Sequence, residues 1–174
     1  MLELAKSIKK IVPGIVGERV FTFSIRDVSY YVICFDVEMD AEMVSLCFTA
    51  SHGKNVYFSV TDGDPEKVSL LLAFFLDYEI NDRYLDVGDT FKPDDEYLLS
   101  KGRKGVVFLP PKVLPLLSDI PTYLQVDDVE KKSLLSVFMD DKEFDIKDSQ
   151  GMEGLLDYFS QTKKDMIRLD AADY

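Results

Sequence analysis

The chain is poor in the residues that build catalytic and metal sites. Its 174 residues include no tryptophan, one histidine and two cysteines. Zinc sites need several histidine or cysteine ligands at defined spacings, and no such spacing is present. Ser51 and His52 could form a nucleophile and base, but a glycine-containing turn predicts exposed polar residues there. We therefore predict no catalytic residue, no metal site and no cofactor.

The two cysteines do not form a disulfide framework. Cys34 and Cys47 both lie in apolar stretches, where cysteine behaves as a small buried hydrophobe, so we expect free thiols. The N-terminus lacks the pattern of a signal peptide. The longest apolar run, Leu70–Leu76, is too short to span a membrane. These features predict a soluble cytoplasmic protein without a membrane partner.

Basic residues are scarce as well. Twenty lysines and arginines face 32 acids, which gives a net charge of −12. Phosphate backbones bind basic surfaces, so we expect no nucleic-acid partner. Fifteen acids and only four bases lie between Asp36 and Glu96. Such an acidic region keeps a protein soluble and also attracts basic partners.

Hydrophobic periodicity predicts an α+β fold, with helices packed on a mainly antiparallel sheet. A short amphipathic helix is expected at Leu2–Ile11, and a buried central helix near residues 65–79 follows the cap Asp64 and Pro65. Alternating apolar residues between these helices predict a meander of four strands, marked by Phe21–Ile25, Tyr30–Phe35, Val44–Phe48 and Val56–Val60. The run Leu70–Leu76 is apolar almost all round. It therefore needs cover on a second side, from another element or from a second copy of the chain in a homodimer.

The second half has weaker signals. We predict a loop at Asn81–Glu96, and strands at Tyr97–Leu99, Val106–Leu109 and Ser133–Met139. A C-terminal helix, capped by Asp148 or Ser149, carries apolar residues at helical spacing from Met152 to Phe159. We prefer a single domain over residues 1–174; the proline-rich segment 110–121 is the alternative boundary.

An acidic stripe is the most informative polar feature. Asp36, Glu38 and Asp40 alternate with apolar residues, so a strand would place them on one face, and Glu42 follows. Side chains on one flat strand diverge, which disfavours a metal or catalytic site. The stripe is a solvated surface or a docking site for a basic protein, and a metal or catalytic role is the remaining alternative.

The one basic cluster is Lys101, Gly102, Arg103 and Lys104, followed by Gly105. A glycine-rich basic turn can bind an anion or nucleotide phosphate through backbone N–H groups. A plain hairpin turn between strands explains the same residues.

Three segments together resemble the end of bacterial suppressor-of-fused-like domains: Val106–Pro110, Leu134–Phe138, and Glu143 with Gly151–Leu156. The similar part covers a third of the chain, and we assign no family from it. The resemblance implies an intracellular α+β module that binds proteins, in some cases as an immunity protein that neutralises a toxin.

These observations favour a non-enzymatic protein-binding module with an acidic surface, such as an immunity protein, a chaperone or an adaptor for a basic protein. Two alternatives remain open. One is a small hydrolase or transferase that uses carboxylates, and the other is an anion or nucleotide sensor that uses residues 101–105.

Overall fold

The computed structural model describes residues 1–170. Its helices are α1 (Leu2–Ile11), α2 (Pro65–Asn81), α3 (Glu96–Ser100) and α4 (Asp141–Thr162). Its strands are β1 (Ile15–Ile25), β2 (Val28–Met39), β3 (Glu42–Thr49), β4 (Asn55–Thr61), β5 (Thr90–Phe91), β6 (Gly105–Leu109), β7 (Tyr123–Val126) and β8 (Val129–Met139). Two 3₁₀ turns, at Pro111–Val113 and Pro115–Leu117, occupy the proline-rich segment.

The eight strands form one mixed sheet in the order β1-β2-β3-β4-β8-β6-β5, and β7 pairs with β8. The predicted four-stranded meander is present, and all its pairings are antiparallel. Strand β4 pairs with β8 in parallel, with Asn55 opposite Lys132 and Phe58 opposite Leu135. The predicted α+β class and mainly antiparallel sheet are therefore confirmed, with one parallel pair added.

Apolar side chains cover both faces of the sheet, because successive strand residues point to opposite sides. One face packs against α1, α4 and the proline-rich segment; its buried residues include Leu4, Ile8, Phe35, Phe48, Phe58, Leu117, Val137 and Phe159. The other face packs against α2; its buried residues include Tyr30, Cys34, Cys47, Tyr57, Leu72, Phe75, Phe108 and Leu134. The result is three layers, with the sheet in the middle.

Helix α2 begins as the sequence predicts. The Asp64 carboxylate accepts hydrogen bonds from the backbone N–H groups of Glu66 and Lys67, which caps the helix. The small buried residues Ser69 and Ala73 lie one turn apart and allow close packing of the helix. Leu169 and the segment that follows α2 belong to the same core as α2. Elements of the same chain therefore provide the cover on a second side of α2. Phe74 remains exposed, and a homodimer through 70–76 stays a prediction.

The prediction of a strand at Tyr97–Leu99 is wrong. These residues lie in helix α3, whose cap residue Asp95 accepts a hydrogen bond from the Leu98 N–H. The cap is a stronger local signal than three apolar residues in a row. Residues 101–104 therefore join a helix to β6 and are not the turn of a β-hairpin.

The predicted start of the C-terminal helix is also wrong. Helix α4 begins at Asp141, and its N-cap Asp140 forms a capping box with Glu143. The backbone leaves helical geometry at Gly151, where φ is +72°. The part from Met152 onward matches the prediction. Asp148 and Ser149 are cap-type residues that precede the apolar spacing from Met152 onward, and for this reason the sequence predicted a helix start there.

The expectation of free thiols is wrong. Cys34 and Cys47 face each other across β2 and β3, with 4.1 Å between their Cα atoms, and form a disulfide. Both side chains are buried beneath α2, and Cys34 Sγ lies 3.0 Å from Ser69 Oγ. The apolar strand patterns correctly predicted burial but contained no information on which residues lie opposite. The disulfide also removes the cysteine argument for a reducing compartment, so a cytoplasmic location stays an expectation.

The disulfide gives a direct test. The denatured, non-reduced protein should contain no thiol that an alkylating reagent modifies. The bond links residues 13 apart, so replacing both cysteines with alanine should lower the free energy of unfolding by about 3 kcal/mol. Urea titration with and without reductant measures this, and only the wild type should respond to reductant. Two alkylated cysteines in the non-reduced protein would restore the original expectation.

Three hairpins use two-residue turns in which both residues have positive φ: Arg26–Asp27, Asp40–Ala41 and Asp127–Asp128. Two positive φ values define the tight turn that matches strand twist, and glycine or asparagine normally occupies it. None of these turns contains either residue. The case with the largest expected strain is Ala41, at φ +67°, because alanine has no side-chain hydrogen bond to offset it.

Replacing Ala41 with glycine should therefore stabilise the protein. We expect the free energy of unfolding to rise by about 0.5–1 kcal/mol, measured by urea titration. The matched control is Ser24→Gly, at an exposed position in ordinary strand geometry on β1, which should destabilise by a similar amount. Equal losses in both variants would contradict the argument.

Candidate functional site

The predicted acidic stripe does not lie on one face of one strand. Asp36 and Glu38 share the α2 side of β2, as expected. Asp40 instead occupies the β2–β3 turn, with φ +48°. Glu42 opens β3 opposite Met39, and alternation places it on the other side of the sheet from Glu38. The four acids therefore surround the tip of a hairpin.

The four acids differ in their partners. Asp36 forms an ion pair with Arg19 and accepts a 3.5 Å hydrogen bond from Ser45 Oγ, so its charge is already matched. Glu38, Asp40 and Glu42 are exposed. Within residues 1–170 none of these three carboxylates has an ion-pair partner.

Exposed apolar residues surround these carboxylates. Met43 lies directly opposite Glu38 on β3 and is 55% exposed. Leu116, in the second 3₁₀ turn, is 54% exposed. It borders a depression of about 230 Å³ that is also lined by Val12, Pro13, Glu38, Met39 and Asp40. We call the set Glu38, Asp40, Glu42, Met43 and Leu116 the hairpin-tip surface. Sequence reasoning identified its acids but not Leu116, because only tertiary packing brings that residue to the hairpin.

The basic cluster has partners within the chain. Lys101 pairs with Asp170 at 3.1 Å, and Lys104 pairs with Asp141 at 3.5 Å. Gly102 has φ +72° and follows the end of α3, a position that favours glycine. Anion binding at residues 101–104 stays a prediction, and an anion there would compete with these carboxylates.

Arg103 points inward and is 6% exposed. Its guanidinium donates hydrogen bonds to the backbone carbonyls of Arg168, Leu169 and Asp170, at 3.0, 2.8 and 3.4 Å. It thereby holds the segment that follows α4 against the start of β6. Sequence reasoning placed Arg103 in an anion-binding or hairpin turn, since nothing local shows where residues 168–170 lie.

A buried charge cluster surrounds Arg103. Glu143 Oε2 lies 3.8 Å from its Nη1, and Lys164 Nζ donates to Glu143 Oε1 at 2.5 Å. Burial lowers the pKa of Lys164, and the nearby Arg103 charge acts in the same direction, while Glu143 opposes both. An open cavity of about 520 Å³ beside the cluster is lined in part by Lys142, Tyr158 and Arg168. Glu143 is the member that a sequence signal could have identified, through its capping box with Asp140.

Other potential chemistry is limited in the part of the chain that the structure covers. His52 is exposed in the β3–β4 loop, and Ser51 Oγ accepts a 2.6 Å hydrogen bond from the Tyr31 N–H. Across residues 1–170 no three histidine, cysteine or acidic side chains are grouped to hold a metal ion. Among residues 1–170, no helix is both long and apolar enough to cross a membrane.

The charge cluster predicts a large effect of one neutral substitution. Glu143→Gln keeps the size of the side chain but removes the carboxylate with which both Arg103 and Lys164 pair. We expect the free energy of unfolding to fall by about 3–5 kcal/mol in urea titrations at neutral pH. Glu153→Gln, at an exposed site on the same helix, should change it by less than about 0.5 kcal/mol. A loss below about 1 kcal/mol for Glu143→Gln would show that solvent reaches the cluster.

Comparisons with known proteins give a fold but no family. No family model matches the chain, and no curated protein matches its sequence. The structure is similar to the crystal structure, at 1.40 Å resolution, of a protein from Neisseria gonorrhoeae FA 1090 described as a candidate homolog of SUFU (suppressor of fused protein). The TM-score is 0.71, with 12% sequence identity over 99% of this chain and 93% of the other. At this identity the similarity establishes the shared fold alone.

Proposed function

We propose that the chain is a protein-binding module and that its hairpin-tip surface binds a basic partner. The observation that carries the proposal is the set of three exposed carboxylates, Glu38, Asp40 and Glu42, without a cationic partner among residues 1–170, next to exposed Met43 and Leu116. A surface that mixes apolar side chains with a single sign of charge suits a partner of the opposite charge.

The two parts of the surface would contribute differently. Unpaired carboxylates act at long range, so they accelerate encounter with a basic protein and make association sensitive to salt. Met43 and Leu116 act only on contact, where burial of apolar area slows dissociation. Asp36 contributes little attraction, because Arg19 already matches its charge.

The structural neighbour is compatible with this class of function. Its description as a candidate SUFU homolog agrees with the resemblance of residues 106–110, 134–138, 143 and 151–156 to suppressor-of-fused-like modules, which are thought to bind proteins. Within this class, an immunity protein, a chaperone and an adaptor each need an acidic surface if their partner is basic.

The first step of the test identifies a partner by capture from a lysate of the source cells. The association rate of that purified partner is then measured with the triple variant E38Q/D40N/E42Q. We expect roughly tenfold slower association at low salt, and a weaker dependence on salt, because the long-range attraction is reduced. Asparagine tolerates the positive φ at position 40, so the turn should be preserved.

The matched control is D148N/E153Q/D157N on α4, which also removes three negative charges. These three acids are exposed and, in the residues that the structure covers, have no ion pair. The control should change association much less than the hairpin-tip variant. Equal effects of the two triple variants would show that only net charge matters, and no effect of either would rule out the hairpin tip as the binding surface.

A further inference from the structure

Glu79 is a buried acid whose carboxylate is poorly satisfied. It lies in the last turn of α2 and is 8% exposed, and neither of its carboxylate oxygens makes a well-formed hydrogen bond, although the backbone N–H groups of Lys54 and Asn55 lie nearby. Burial without good partners destabilises an ionised carboxylate, so such a group favours its neutral form. The hairpin-tip surface and the charge cluster around Arg103 do not include this residue.

The cover over Glu79 is the β3–β4 loop, residues 50–54. A Cβ at Gly53 would stand 2.9 Å from Glu79 Oε2 and would overlap Leu76. Only glycine allows the loop to lie this close to the helix, and its φ of +113° also favours glycine. The loop therefore rests directly on the carboxyl group.

Charged and titratable groups face Glu79 from every element around it. The loop brings the side chain of Lys54 and the backbone N–H groups of Lys54 and Asn55, and strand β8 brings Lys131. Tyr57 of β4 and Tyr84, after α2, complete the surroundings.

Both nearby ammonium groups have other contacts. Lys131 Nζ donates to the Ser51 carbonyl oxygen at 2.7 Å, and Lys54 Nζ lies 5.8 Å from the centre of the Tyr84 ring. Burial therefore outweighs the attraction of the two lysines and the loop N–H groups, and raises the pKa of Glu79 to about 7.

We propose that Glu79 controls the β3–β4 loop through its proton: the loop closes over the neutral carboxyl group and opens when the proton is lost. Opening gives water a route to the charge, because the loop lies directly over the carboxyl group, with Gly53 beside Oε2. Movement of the Lys131 side chain would also favour the open loop. As it turns from the Ser51 carbonyl oxygen toward the carboxylate, the loop loses one of its hydrogen bonds to the sheet. This inference does not depend on the proposed binding function.

Linkage gives the sign and size of the effect. A carboxyl group with a raised pKa in the closed state stabilises closure at low pH, and this stabilisation is lost as pH rises through about 7. If the open state has the ordinary value of 4.5, the opening equilibrium rises roughly tenfold between pH 6 and pH 8.

The experiment is amide hydrogen exchange of residues 50–55 from pH 6 to pH 8, corrected for intrinsic exchange rates. The wild type should lose protection about tenfold over this range. Glu79→Gln should show no such pH dependence, whereas Glu66→Gln, an exposed acid at the start of the same helix, should behave as the wild type.

A carbon NMR titration of the Glu79 carboxyl in the wild type makes the test independent of whether the variant folds. The proposal requires a midpoint near pH 7 that coincides with the midpoint of loop exchange. A midpoint below pH 5, loop protection that does not change with pH, or the same pH dependence in Glu79→Gln would each overturn it.

Discussion

The parallel pairing of β4 with β8 is the contact on which the rest of the structure depends. Strands β1 to β4 form a local meander, whereas β5 to β8 come from residues 90–139. The pairing of Asn55–Phe58 with Lys132–Leu135 joins these groups into one sheet. Each of the two cores draws residues from both groups: Phe48 and Val137 lie in one, and Tyr57 and Phe108 lie in the other. The pairing therefore extends the two apolar faces of the meander into the second half of the chain.

Local chemistry explains what the sequence could predict. The meander follows from period-2 alternation, and the start of α2 follows from Asp64 and Pro65, since these signals act within a few residues. Strand β7 was missed, β5 lies inside the predicted loop Asn81–Glu96, and α3 was predicted as a strand. Short elements have too little periodicity to separate them from their neighbours. The parallel pair and the disulfide were missed for another reason. Each depends on register between segments, and composition carries no information about register.

The candidate surface was predicted by residue type but not by arrangement. Alternation placed Asp36 and Glu38 correctly on one side of β2. It could not show that Arg19 neutralises Asp36, or that the chain turns at Asp40. The basic cluster illustrates the same limit. With 32 acids and 20 bases, pairing every base with one acid would still leave acids unpaired. A cation in this protein therefore readily finds an intramolecular partner, as Lys101, Arg103 and Lys104 do, while unpaired acids remain at the hairpin tip.

The hydrogen bonds of Arg103 have a consequence for how the chain folds during synthesis. Leu169 fills a place in the α2 core, and the Arg103 guanidinium depends on the carbonyl groups of residues 168–170. While the ribosome is still adding residues before this segment, the Arg103 guanidinium is without these acceptors and the core beside Gly63 is open. The meander can form early, but the native packing around α2 and β6 must wait until residue 170 has left the exit tunnel. Until then, a partner or chaperone that acts on the nascent chain would meet an unfinished core.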